Sequence, residues 1–275
     1  MSVPLHTTGK ASFDDIYTSA DPRAYFARMH ELDYRIPELA KPVFAQQLRE
    51  LRAARPGRIP TVLDLGCSYG VNAALLRLDT GVDELAAHYR DAGEDAERAD
   101  LIAADRARLR HDRMPDVRFV GMDASRPALT YAHAAGFLHD FVHADLEDTE
   151  PTEAQRRVLA SADLVVSTGC IGYITEKTLS RVAGAEPGHL PWMAHFVLRM
   201  FDFTPMEAEL EALGYRTKAM PGMFAQRRFA SAQEQQQVLN ALAAKGIDTT
   251  DHESEGWLYA TLFLSRPHSD LEDTD

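Results

Sequence analysis

Thr61-Val-Leu-Asp-Leu-Gly-Cys-Ser-Tyr-Gly70 is the stretch around which the rest of the chain falls into order. Thr61 to Asp64 read as a buried strand, Gly66 and Gly70 bracket a tight turn, and Val71 to Leu76 follow as an apolar helical run. A strand that breaks at glycines and feeds a helix N-terminus lets a ligand approach bare backbone N–H groups. The pattern points to a nucleotide-type site.

Downstream, strands alternate with helices. Val117 to Asp123 and Asp140 to Asp145 read as strands that each end in an acid, and Asp163 to Gly169 as a strand that ends in a glycine. His195 to Phe201 is expected as the fifth strand. Helices are expected over 126–135, where Gly136 stops the run as a C′ glycine does, and over 152–160, 175–182 and 204–213. Strand–helix alternation is the signature of a parallel sheet covered on both faces. The tail departs from it: Tyr215 to Met220 and Trp257 to Ser265 read as strands around a helix from Ala232 to Ala244, which suggests an antiparallel pair at one edge.

Three segments flank this frame. Residues 1–60 form an N-terminal helical preface, loose to about residue 15, with amphipathic helices from Arg23 to Leu32 and from Glu38 to Ala54. Residues 79–116 interrupt the alternation with two polar helical runs, read as a solvated insertion without chemistry of its own. The main domain spans 61–266, and residues 267–275 form an acidic tail expected to be disordered.

Composition narrows the partners. The net charge of −13 argues against a phosphate-backbone partner, so no nucleic acid is expected. No apolar run reaches membrane-spanning length and the N-terminus lacks a secretion-signal core, so no membrane partner and a cytoplasmic location are expected. Two cysteines, Cys67 and Cys170, are too few for a disulfide scaffold; they read as small fillers beside a ligand or, less simply, as a redox pair. His133, His139, His143 and His195 show no metal-ligand spacing, so no metal is expected.

On these residues the chain resembles the class I S-adenosylmethionine-dependent methyltransferases. That family's acid-x-Gly-x-Gly-x-Gly turn reads here Asp64-Leu-Gly66-Cys-Ser68-Tyr-Gly70, with Ser68 in place of the middle glycine. Ser68 is expected to keep an ordinary φ and to narrow the space beside the methionine end of the ligand. The resemblance implies an α/β, doubly wound, Rossmann-like sheet of seven strands in the order 3-2-1-4-5-7-6, its last strand antiparallel and the helical preface forming a lid. It implies S-adenosyl-L-methionine as cofactor. Asp64, Gly66, Cys67, Ser68 and Gly70 would surround its amino-acid part and ribose, and Asp123 with Ala124 would take the ribose hydroxyls. Asp145 and Leu146 would hold the adenine, while Ser167, Thr168 and Gly169 would line the reaction chamber. The NAD fingerprint G-x-G-x-x-G is not met by Gly66, Ser68 and Gly70.

Tyr173 sits where an acceptor would meet the sulfonium, either as a cation–π partner and candidate catalytic residue or as packing under the loop. Tyr17, Tyr25 and Tyr34 either close over the methionine end or pack the preface helices, and Trp192 and Trp257 read as core. Three functions stay open. The first is methyl transfer to a small molecule, with secondary metabolism as the expected setting. The second, through a looser resemblance to the azetidine-2-carboxylate synthases, is cyclisation of the cofactor with loss of methylthioadenosine. The third is a non-catalytic binding subunit. The acceptor, where there is one, and the oligomeric state are not legible.

Overall fold

The computed structural model describes residues 14–271. The expected looseness before residue 14 falls outside that range. Eight strands form one sheet: β1 (Thr61–Leu65), β2 (Arg118–Asp123), β3 (Asp140–His143), β4 (Leu164–Thr168), β5 (Trp192–Leu198), β6 (Tyr215–Ala219), β7 (Phe224–Arg228) and β8 (Trp257–Pro267). Their order is β3-β2-β1-β4-β5-β8-β6, with β7 paired to β8 off that path. Strands β1 to β5 pair in parallel, and β8 runs antiparallel to β5, β6 and β7. Setting the short β7 aside, this is the seven-strand order the resemblance implied.

Two strands differ from the sequence reading. β5 begins at Trp192, three residues earlier than expected, because Leu164 of β4 takes Trp192 as its register partner. β7 was not expected at all. Its sequence, Phe-Ala-Gln-Arg-Arg, has no apolar alternation, and it becomes a strand only by pairing with the lower half of β8 across an irregularity between Ala225 and Arg227.

The helices are α1 (Asp14–Tyr17), α2 (Arg23–Glu31), α3 (Ile36–Ala54), α4 (Val71–Leu78), α5 (Val82–Asp91), α6 (Arg98–Arg108), α7 (Arg126–Ala135), α8 (Glu153–Leu159), α9 (Glu176–Ala183), α10 (Thr204–Ala212) and α11 (Ala232–Ala244). They divide the core in three. Leu48 and Leu51 of α3, Leu76 of α4, Leu129 of α7 and Leu242 of α11 pack on one face of the sheet. Leu159 of α8, Leu179 and Val182 of α9, and Leu210 of α10 pack on the other. Burial on both faces explains why β1 and β4 are near-continuous Val and Leu runs.

The third cluster holds the preface against the 79–116 segment. Tyr25, Phe26 and Met29 of α2 pack with Leu85 and Tyr89 of α5 and Leu101 of α6, and the rings of Phe26 and Tyr89 stack with centroids 5.0 Å apart. Arg23 donates to the carbonyls of Gly93 and Glu94 at 2.9 and 2.8 Å, tying the same two segments together. Residues 79–116 are therefore more than a solvated helix pair. One face of them is core.

Two further readings change. Trp257 is half-buried, not core, with the guanidinium groups of Arg35 and Arg228 over its ring at 4.5 and 4.6 Å. The tail is ordered past residue 267: Asp270 accepts from Trp192 Nε1 at 2.7 Å and pairs with Arg55 at 2.7 Å, so an acidic residue is held by a buried ring and a cation. Residues 272–275 lie outside the described range.

Candidate functional site

The glycine turn leaves β1 at the middle of the parallel sheet, where the strand order reverses and a crevice opens beyond the carboxyl ends. Gly66 has φ +65°, and a Cβ there would come within 2.5 Å of Cys170 Cβ in the loop after β4. Only glycine lets these two loops meet. Ser68 also lies in the left-handed region, at φ +49°, so the expectation of an ordinary φ is corrected. The reason is a hydrogen bond: in that conformation Ser68 N–H donates to Asp123 Oδ2 at 2.8 Å, joining the turn to the end of β2. Serine here keeps the backbone geometry of the glycine it replaces and bears the strain.

Asp123 accepts a second hydrogen bond, at Oδ1 from Ser125 N at 2.8 Å, and Ser125 Oγ in turn donates to the Tyr17 carbonyl. Burial holds the Asp123 carboxyl above its ordinary pKa despite these donors. Asp64 is fully buried at the end of β1, and its Oδ1 accepts from Asn72 Nδ2 at 3.0 Å. Desolvation pushes its pKa up to about 7, against a smaller lowering by Asn72. Asn72 also donates to Thr168 Oγ1 at 3.1 Å, and the Thr168 carbonyl accepts from Tyr34 Oη at 3.3 Å. Asp64, Asn72, Thr168 and Tyr34 thus form one chain from β1 through α4 and β4 to the preface.

Several atoms in this chain lack partners. Asp64 Oδ2, Asn72 Oδ1 and Ser68 Oγ are buried and make no hydrogen bond. Each such atom costs about 1–3 kcal/mol, and three of them within nine residues, on β1, the turn and α4, mark a place for something else to satisfy.

The tyrosines gather over it. Tyr17 and Tyr25 have ring centroids 5.6 Å apart, and Tyr25 lies 5.6 Å from Tyr69 of the turn. Burial raises the phenol pKa values of Tyr17, Tyr25 and Tyr69, and pushes Tyr34 up to about 12. Tyr173, in the loop after β4, is 38% exposed and lies near enough to Tyr17 to add to the raising of that phenol. Tyr17, Tyr34, Asp123, Thr168, Gly169 and Cys170 are all half-buried around that crevice.

Among the described residues, Asp145, Leu146 and Ala124, also singled out from the sequence, make no hydrogen bond with the Asp64–Asn72–Thr168–Tyr34 chain. Asp145 follows the end of β3, is exposed, and accepts from Glu147 N at 2.9 Å in a local turn. Leu146 beside it is buried in the core, and the Ala124 carbonyl is within 3.1 Å of His143 Nε2. Cys67 packs on one face of the sheet and Cys170 against the other; neither is in a disulfide, and burial pushes the Cys67 thiol up. A disulfide between them does not form across the sheet. Gly70, at φ +73°, opens α4.

Sequence reasoning missed Asn72, Tyr69 and the support behind them. Asn72 stands eight residues after Asp64, and only the turn geometry brings it back onto that acid. Tyr69 Oη donates to the carbonyls of Ile16 and Ser19, at 3.0 and 2.9 Å, pinning the preface to the glycine turn. Behind Tyr69 its ring meets Tyr131, and Tyr131 and Tyr89 both donate to Asp105 Oδ2, at 2.7 and 2.9 Å. His195 is also buried, with Nδ1 2.9 Å from Ser167 Oγ and its pKa lowered by burial to about 3. Among the described residues no group of three or more His, Cys, Asp or Glu side chains is placed to hold a metal ion. Among them, too, no helix is long and apolar enough to cross a membrane.

The strand order makes this a doubly wound, Rossmann-like α/β fold whose last strands are antiparallel. No family model matches the chain, and no curated protein matches it. Among solved structures, the precorrin-6y C5,15-methyltransferase of Geobacter metallireducens matches at 12% identity over 80% of this chain and 86% of its own, with a TM-score of 0.39. A TehB-like SAM-dependent methyltransferase of Corynebacterium glutamicum matches at 14% identity over 82% and 98%, with a TM-score of 0.38. The magnesium protoporphyrin IX methyltransferase of Synechocystis, solved with bound SAH, matches at 13% identity over 84% and 82%, with a TM-score of 0.39. Likeness at that level carries nothing about substrate or chemistry.

Proposed function

We propose that the protein is an S-adenosyl-L-methionine-dependent transferase that methylates a small molecule. The observation that carries this reading is the set of unpartnered buried oxygens, Asp64 Oδ2, Asn72 Oδ1 and Ser68 Oγ, around a left-handed turn whose backbone is tied to Asp123. Those oxygens call for donors, and the cofactor brings an ammonium and two ribose hydroxyls. Ionised Asp64 would pair with the ammonium, and Asp123, with lone pairs left on both oxygens, would accept from the ribose. Asp145 and Leu146 would meet the adenine. Bound there, the cofactor supplies a methyl group on a sulfonium whose leaving group is neutral. The chain's part is alignment, exclusion of water, and ring faces from Tyr17, Tyr25 and Tyr173 toward the positive sulfur, worth roughly 0.5–2 kcal/mol each.

A second reading is kept on a separate observation. Asp64, pushed up to about 7, is matched to take a proton from an ammonium near neutral pH. A neutral amine could then attack the γ-carbon of its own ligand; the C–N bond forms, the C–S bond breaks, methylthioadenosine leaves and the proton stays on Asp64.

Incubation with S-adenosylmethionine alone separates the two. Methyl transfer predicts stable cofactor that becomes S-adenosylhomocysteine only when an acceptor is added. Methylthioadenosine formed at enzymic rates without acceptor would sink methyl transfer and support cyclisation. Binding without turnover against any acceptor would leave a non-catalytic subunit.

A further inference from the structure

A cleft of about 230 Å³ opens at the carboxyl end of β5, bounded by the segment 199–204, the first turn of α10, Ile247 and β8. It is apart from the cradle: neither the glycine turn nor a strand-end acid lines it. One wall is aromatic. Phe203 and Phe263 stack with ring centroids 4.4 Å apart, and Phe201 stands beside them. The mouth is acidic, with Asp202 and Glu207 both exposed.

The charges do not cancel. Asp202 Oδ1 accepts from Thr204 N at 3.0 Å, which fixes the carboxylate at the mouth, and neither Asp202 nor Glu207 forms an ion pair among the described residues. Of the nearby cations, Arg199 is neutralised by Glu253, while Lys245 lies close enough to add to the lowering of the Asp202 carboxyl by Thr204 and offsets part of the negative charge there. Arg199 pairs with Glu253 at 2.6 Å and donates to the Asp248 carbonyl at 2.7 Å, while Lys245 donates to the Met200 carbonyl at 2.6 Å. Two exposed carboxylates beside a wall made by the half-buried Phe201 and Phe263, with Phe203 buried behind them, favour a positively charged guest with an apolar body. Solvated carboxylates alone bind such a guest weakly; the ring faces and the concavity supply the rest.

We propose that this cleft is a binding site for a small organic cation, an ammonium carried on a single ring or short apolar chain. The volume is below the ~300 Å³ at which drug-sized sites begin, which suits a guest of that size. The ammonium sits between Asp202 and Glu207, and the apolar body lies against Phe201, Phe203 and Phe263. Phe201 also fills the space over Gly172, where a Cβ would stand, in the loop that bears Tyr173. Through Phe201 the cleft therefore abuts the loop that bears Tyr173.

The test titrates the full chain with phenethylamine, using the neutral phenethyl alcohol as control, by calorimetry or chemical-shift perturbation. The amine is expected to bind at least about fivefold more tightly than the alcohol, as one uncompensated charge contact requires. The double variant Asp202→Asn/Glu207→Gln, checked for an unchanged unfolding temperature, is expected to lose that preference. Glu207→Gln alone, which leaves the Asp202 turn intact, is expected to lose part of it. Equal binding of amine and alcohol, a preference that survives the double variant, or no amine binding up to about 10 mM would each overturn the proposal. S-adenosylhomocysteine, titrated separately, reports on the cradle alone, so failure of one site is read apart from failure of the other.

Discussion

Asp64 couples ligand binding to pH. Its folded pKa, about 7, lies above the ordinary aspartate value of 3.8. Its protonation therefore favours the folded state: that stability is fully present below the ordinary value and is lost as pH rises through about 7. A bound ammonium reverses the preference by drawing Asp64 into its ionised form. Cofactor binding at pH ~6 is expected to release a proton, and affinity to rise with pH and level off above ~7. Calorimetry at pH ~6 in two buffers of different ionisation enthalpy measures that proton; no proton release there would show that no cation reaches Asp64. Asp64, Gly66 and Gly70 were legible because a strand, an acid and two glycines within ten residues have few other readings. The conformation of Ser68 was not. Its left-handed φ is imposed by an acceptor 55 residues away on another strand, and local propensity points the other way.

At the scale of elements, α5 and α6 hold up the lid. Asp105 is wholly buried and takes the hydroxyls of Tyr89 and Tyr131, and the aromatic run continues through Tyr69 to Tyr25 and Tyr17. Asp105→Ala leaves both hydroxyls without their acceptor and is expected to cost about 2–4 kcal/mol, lowering the unfolding temperature by several degrees. Because it unseats the preface, it should also weaken cofactor binding from a position that touches no ligand. A variant with unchanged melting and affinity would show that this segment is only decoration. Charged helices at 79–116 invited that reading, since the buried faces of α5 and α6 are Val82, Leu85, Ala86, Tyr89, Leu101 and Asp105 among polar neighbours. Tyr69→Phe makes a finer test. It removes the two contacts to the Ile16 and Ser19 carbonyls while keeping the ring, and a several-fold weaker cofactor affinity is expected with little change in melting.

Across the whole molecule, the parallel strands and their helices were readable because each buried strand carries its own apolar run and β1 to β4 each end within two residues of an acid or a glycine. The second edge of β8 was less readable. β7 exists only as a partner of β8, and its buried Gln226 and Arg227 break the apolar pattern that marks a strand. Arg227 is held there by Glu234 at 2.7 Å. The cradle draws on all three layers: strand ends β1, β2 and β4 supply Asp64, Asp123 and Thr168, α4 supplies Asn72, and the preface supplies Tyr17, Tyr25 and Tyr34. The measurement that bears most directly on this account is a calorimetric titration of S-adenosylhomocysteine into the wild-type chain and into Asp123→Ala. The account predicts one site per chain in the wild type and at least about a tenfold loss in Asp123→Ala, the loss of a charge-assisted hydrogen bond. No binding by the wild type, or equal binding by the variant, would contradict it.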